Sequence, residues 1–96
     1  MAKILNVMDD KGNHKYISDG VYESGYWWRP PSNCEIIRLY KRDNSPSFLG
    51  GRIIGERVEE RAGNKRKIFS FRDDSAQHGK LRPHHFGPNG CFVTEE

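Results

Sequence analysis

The residues best equipped for chemistry lie in the middle of the chain. Tyr26-Trp27-Trp28-Arg29 sets flat rings beside a guanidinium, the combination that stacks on nucleobases at about 1–3 kcal/mol per base. The competing reading is that one Trp and the Tyr fill a core short of aliphatic residues. Neighbouring residues of a strand point to opposite sides, so one of Trp27 and Trp28 can be core while the other lines a site. A second set is cationic: Arg38, Lys41, Arg42, Arg52, Lys65, Arg66 and Lys67. Phosphate recognition needs cations that converge on one surface, with arginine favoured for its forked donors. The competing reading is a solvated face balanced by the interleaved Glu56, Glu59 and Glu60, with Lys65-Arg66-Lys67 a solubilising hairpin tip. Between Arg38 and Arg72 ten cationic residues stand against four anionic ones, a local +6 in a chain whose net charge is +3. The remainder is therefore net acidic, and the cationic character is local, as a docking surface for phosphates requires.

Other chemistries fit less well. His78, His84 and His85 crowd the C-terminal part, with His14 and Cys91 elsewhere. Zinc takes four N or S ligands, usually as two close pairs; adjacent His84-His85 is poor spacing and Cys91 has no cysteine neighbour. A His-Asn-His nuclease would need a helix after its histidines, where Pro88 and Gly90 stand. No GxSxG elbow, phosphate-binding P-loop or dinucleotide fingerprint occurs. Cys34 could act as a nucleophile beside a histidine, but nothing in the spacing argues for it, and an inert buried thiol is the favoured reading. No catalytic residue, metal ligand or cofactor is assigned.

The elements that must position these residues read as strands. Lys3–Met8 predicts a first strand, His14–Ser18 a second, closed by the hairpin dipeptide Asp19-Gly20. Val21–Trp28 is β-favouring, and Arg29-Pro30-Pro31 ends it. Glu35–Arg42, Phe48–Glu60 and Lys65–Arg72 alternate with period two and predict an antiparallel meander. On Phe48–Glu60 the alternation sets Ile54 and Val58 on one side and Ile53 on the other, while Gly50-Gly51 and Gly55 predict a bend or bulge. Asp73–Gln77 predicts a short capped helical turn, 73–90 an irregular or mobile segment, and Cys91–Thr94 a closing strand.

Length and composition agree with one small, mostly β domain over residues 1–96: a curled antiparallel sheet or a partly open β-barrel with an irregular tail. Only 34% of residues are hydrophobic, but eleven are aromatic and bury large areas. No apolar run reaches the ~20 residues of a membrane span. The short apolar start runs into Asp9-Asp10, unlike a signal peptide, and two distant cysteines form no disulfide framework. The expected location is the cytoplasm.

The segment from residue 26 to 72 resembles the small β-barrel domains grouped as PUA-like, including the EVE and ASCH families. The resemblance rests on Tyr26-Trp27-Trp28, then Glu35-Ile36-Ile37-Arg38-Leu39-Tyr40, then Gly51-Arg52-Ile53-Ile54-Gly55-Glu56-Arg57-Val58. Asn33-Cys34 stands where such domains carry Gly-Asp. The resemblance implies an aromatic-lined pocket for a modified or flipped base, with Trp27, Trp28 and Tyr40 near it and the basic strands holding the backbone.

The function expected from these features is non-catalytic binding of nucleic acid, single-stranded or carrying a modified base. Aromatic stacking on Trp27 and Trp28 would combine with Arg29, Arg38, Tyr40, Lys41, Arg42, Arg52, Lys65, Arg66 and Lys67. Two alternatives stand beside it: a small protein-interaction module of a phage or mobile element that meets a host protein, and a metal-dependent enzyme using the histidine-rich tail.

Overall fold

In the computed structural model, residues 2–9, 12, 14–24, 33–41, 45–61, 63–81 and 91–96 are described. Among the described residues seven strands form one sheet: β1 (Lys3–Met8), β2 (Lys15–Ser18), β3 (Val21–Glu23), β4 (Ile36–Tyr40), β5 (Leu49–Arg61), β6 (Asn64–Asp73) and β7 (Cys91–Glu95). Their order across the sheet is β2-β3-β6-β5-β4-β1-β7. The expected mostly β architecture and the meander β4-β5-β6 are present. Two details differ. The sheet is mixed, because β1 runs parallel to β4, and it is open, with β2 and β7 as edges. The parallel pair arises because β1 returns to β4 only after the β2–β3 hairpin, which joins the far side of the sheet through β6.

Parallel strands are normally covered on both faces, and the apolar runs KILNVM and IIRLY meet that demand. On one face Leu5, Val7, Ile37, Leu39, Leu49, Phe69, Phe71 and Cys91 form the core, joined by Tyr22, Cys34, Phe48, Ile53 and Val93. Tyr22 stacks on Phe71 and meets Tyr16 edge-on. On the other face Ile4, Asn6, Arg38 and Tyr40 are also buried. The chain after β6 folds over Arg38 and Tyr40, which donate to Gln77 and to the Leu81 carbonyl: Asp74 caps a 3₁₀ turn over Ser75–Gln77, and residues 79 and 80 hydrogen-bond to Ser47. The segment expected to be irregular is therefore tied down as far as Lys80, and 82–90 lie outside the described residues.

One feature of β5 reverses the expected patterning. Between Ile53 and Gly55 the pairing with β6 shifts by one residue, leaving Ile54 as a bulge. Before it, Leu49, Gly51 and Ile53 point to the core side; after it, Glu56, Val58 and Glu60 do, as partners of Phe69, Lys67 and Lys65. Ile53 and Val58 thus share a face, contrary to strict alternation. The strand pair is tightest at Gly51, where a Cβ would lie 1.7 Å from the Arg72 carbonyl oxygen, whereas nothing lies within 4 Å of one at Gly55. Gly51→Ala is therefore expected to destabilise the fold by about 3 kcal/mol or more, the upper end of overpacking costs. Gly55→Ala is expected to be neutral or to stabilise by up to about 1 kcal/mol through the unfolded chain. Chemical denaturation of the two variants checks this pair.

Candidate nucleic-acid interface

The expected site residues divide into three groups. Trp27, Trp28, Arg29 and Arg42 lie outside the described residues, as do His84 and His85. Arg38 and Tyr40 are interior. Lys41, Arg52, Lys65, Arg66 and Lys67 are on strands or at strand ends, and the β5–β6 register separates them.

Arg38 and Tyr40 belong to a polar network beneath the 3₁₀ turn. The Arg38 side chain is 5% exposed. Its Nη1 and Nη2 donate to the two carboxylate oxygens of Glu96 at 2.6 and 3.0 Å, and its Nε donates to Gln77 Oε1 at 2.8 Å. Such a forked, charge-assisted pair engages all three nitrogens of the guanidinium, and with the side chain buried it does not face a phosphate at the surface. Beside it, the Tyr40 hydroxyl donates to Asn6 Oδ1 at 3.1 Å. Asn6 Nδ2 donates to Thr94 Oγ1 and to the Phe92 carbonyl. Burial pushes the Tyr40 hydroxyl above its ordinary pKa, so it stays a neutral donor.

The cations of the long hairpin fall on opposite faces. On the core side Lys67 pairs with Glu56 at 3.4 Å, and Lys65 stands opposite Glu60 in the register. Two lysines against two glutamates balance on that side toward the hairpin tip. Among the described side chains, the other side of β2-β3-β6-β5 carries Lys15, Arg52, Arg57, Arg66 and Arg72 against Glu23 and Glu59, a balance of five cations to two carboxylates. Arg57 is held by both carboxylates, through Nε and Nη2 to Glu23 and Nη1 to Glu59, and this contact draws the Glu23 carboxyl below its ordinary range. Lys41 sits apart, over the Phe48 ring at 5.5 Å.

The least compensated charge is at Arg52 and Arg72. They are directly opposite partners on β5 and β6, both exposed, in a geometry that sets Cβ atoms about 4.5–5.5 Å apart. Arg72 Nη1 donates to the Asp19 carbonyl, a neutral acceptor, and neither arginine has a carboxylate partner among the described residues. Arg72 was not among the expected site residues. The hairpin turn pairs Arg61 with Asn64, and counting back without a bulge sets Arg52 opposite Asp73, a neutral pair. The bulge at Ile54 replaces Asp73 by Arg72. Its only sequence signal is the glycine-rich stretch around it.

Next to Arg52 the sheet is notched. β4 begins at Ile36, while β5 runs on past its partner Arg52; the last rung is Ile53 N–H to the Glu35 carbonyl at 2.8 Å. The resulting open recess of about 240 Å3 is lined by Cys34, Glu35, Arg52 and Ile53. Burial pushes the Cys34 thiol upward, so it contributes an uncharged wall.

Two Asp–His contacts complete the polar features. His14 Nδ1 meets the buried Asp9 carboxylate and its ring lies against Phe48; His78 Nε2 meets Asp73 Oδ1 at 2.7 Å. No group of three metal-ligating side chains occurs among the described residues, and no helix among them is long and apolar enough to cross a membrane.

Comparison with protein-family models, with curated proteins and with solved structures finds no match to this chain.

Arg38 also sets an acid sensitivity. Its guanidinium holds the Glu96 carboxyl below the ordinary carboxylate range. A depressed folded pKa contributes stability above the unfolded value near 4.5, and that stability is lost as pH falls through the folded pKa. Glu96→Gln is expected to cost about 1–3 kcal/mol at neutral pH, because it strips the charged acceptor from a buried guanidinium. It should also flatten the fall in stability below pH ~4.5. Urea midpoints of the two proteins between neutral and acid pH test this.

Proposed function

We propose that this protein binds nucleic acid through the open face of β2-β3-β6-β5, holding the phosphate backbone without catalysing a reaction on it. The observation that carries the reading is the cross-strand pair Arg52–Arg72. Like charges placed directly opposite destabilise a strand pair, and here a bulge creates the arrangement where an uninterrupted hairpin would give Arg–Asp. A phosphate between the two guanidiniums would relieve the repulsion and accept donors from both. Lys15 and Arg66 extend the cationic strip along the same face, and the separation of Glu56 and Glu60 to the other side leaves it net positive. Arg52 and Arg72 are exposed and stand on a face where the described cations outnumber the carboxylates, the local positive potential that a phosphate backbone meets. A role in the cytoplasm is part of the same proposal.

A net charge of about +3 on the strip sets the expected salt dependence: log K against log salt should fall with a slope of about −2 for a single strand. Arg52→Ala and Arg72→Ala are each expected to weaken oligonucleotide binding by about 1–2 kcal/mol at low salt, as loss of a charge-assisted contact. Each should leave unfolding stability unchanged or raised by a few tenths of a kcal/mol, because the repulsion is removed. Lys65→Ala, on the side where lysines and glutamates balance, should change binding little. Fluorescence anisotropy of a labelled oligothymidylate at several salt concentrations, with denaturation of the same variants, makes the test. Binding indifferent to salt, or to both arginines, would overturn the reading.

A further inference from the structure

The notch beside Arg52 differs from the strip in what it offers a ligand. We propose that it takes one nucleobase of a bound strand, and that its chemistry selects guanine. The inference rests on the nucleic-acid reading above and adds base recognition to it.

Three observations carry it. First, the notch is smaller than the about 300–1,000 Å3 of pockets that enclose whole drug-sized ligands, so it suits one ring system rather than a complete nucleotide. Second, its walls are mixed in a useful order. Glu35 gives a carboxylate and Arg52 a guanidinium, which make the lining mostly polar, and Ile53 with the uncharged Cys34 thiol adds a small apolar patch. Third, Glu35 and Arg52 share this small space, yet neither forms an ion pair with a described residue. Both are left able to meet a ligand.

The selectivity follows from the acceptor. A carboxylate has two oxygens and, when ionised, only accepts. The Watson–Crick edge of guanine presents two neighbouring N–H donors, at N1 and N2, which match both oxygens. Cytosine presents one amino group beside an acceptor. Uracil and thymine present a single N–H between two carbonyls, which the carboxylate repels. Single-stranded bases are read on this edge. Arg52 then links the two functions, because it lines the notch and also forms half of the Arg52–Arg72 pair on the adjoining strip. A base in the notch places its own phosphate within reach of that pair.

The test is a titration of the isotope-labelled full chain with guanosine, cytidine and uridine 5′-monophosphates, followed by amide chemical shifts. Guanosine monophosphate is expected to shift the signals of Cys34, Glu35, Arg52 and Ile53, and to bind at least about fivefold more tightly than uridine monophosphate, the lower bound for a bidentate base contact. Glu35→Ala, at an exposed position, should abolish that preference by weakening guanosine monophosphate binding, while uridine monophosphate binds as well or more tightly once the repelling carboxylate is gone. Arg52→Ala should weaken all three. Equal affinities, or a guanosine preference that survives Glu35→Ala, would overturn base reading, and so would shifts confined to other parts of the sheet. Oligothymidylate binding separates the two proposals. If it keeps its salt and arginine dependence while the mononucleotides are not distinguished, the phosphate strip stands and the notch reads no base. If it is absent, both fall.

Discussion

A single extra residue at Ile54 governs how the outer half of this sheet is used. A bulge sets two residues against one and leaves the partner strand undisturbed. Here β6 keeps one alternation throughout, with Phe71, Phe69, Lys67 and Lys65 on the core side, while β5 changes sides at the bulge. Toward Leu49 its odd-numbered residues complete the core; toward Arg61 its even-numbered residues cover the lysines of β6. The same shift brings Arg52 opposite Arg72 and presses Gly51 against the Arg72 carbonyl, where no side chain fits.

The inner half depends on a different constraint. β1 and β4 are parallel and buried from both sides, yet they carry Asn6, Arg38 and Tyr40 on one of those sides. Buried polar groups need partners, and a buried charge needs them most. The partners come from distant parts of the chain: Gln77 from the turn after β6, and Thr94 and Glu96 from the end of β7. This network fastens the turn and the edge strand to the sheet, which an apolar face in the same place would do with less positional specificity. It also explains why cations of one sequence stretch have different uses: Arg38 is consumed by the fold, and Arg52 is not.

Much of this was legible from residue order. The period-two runs gave the strands from β4 to β6 close to their observed bounds, and Asp19-Gly20 and Arg61-Ala62-Gly63-Asn64 marked the turns. A short capped turn was expected over Asp73–Gln77, and Asp74 is its cap. What was not legible depended on pairing across the sheet. Alternation along Glu35–Arg42 showed that Arg38 and Tyr40 share a side, but not that the chain after Asp73 would fold over it. Parallel pairing of β1 with β4 has no local signature. The bulge was foreshadowed by glycines, but its register decides whether Arg52 faces Asp73 or Arg72, and a pattern read along one strand carries no register.

The interleaved glutamates show most clearly what that register does. In sequence, Glu56, Glu59 and Glu60 sit among the cations and offset part of their charge. In space, Glu56 and Glu60 turn to the core side and neutralise Lys67 and Lys65, and only Glu59 remains beside the arginines, where with Glu23 it holds Arg57. Mixed charge along the chain thus becomes separated charge across the sheet: a side whose charges balance toward the hairpin tip, and a positive side on which Arg52 and Arg72 face each other. Surface ion pairs contribute little to stability, about 0–1 kcal/mol each. Distributing them this way therefore costs the fold little, while leaving uncompensated charge on one face, beside the notch where β4 ends.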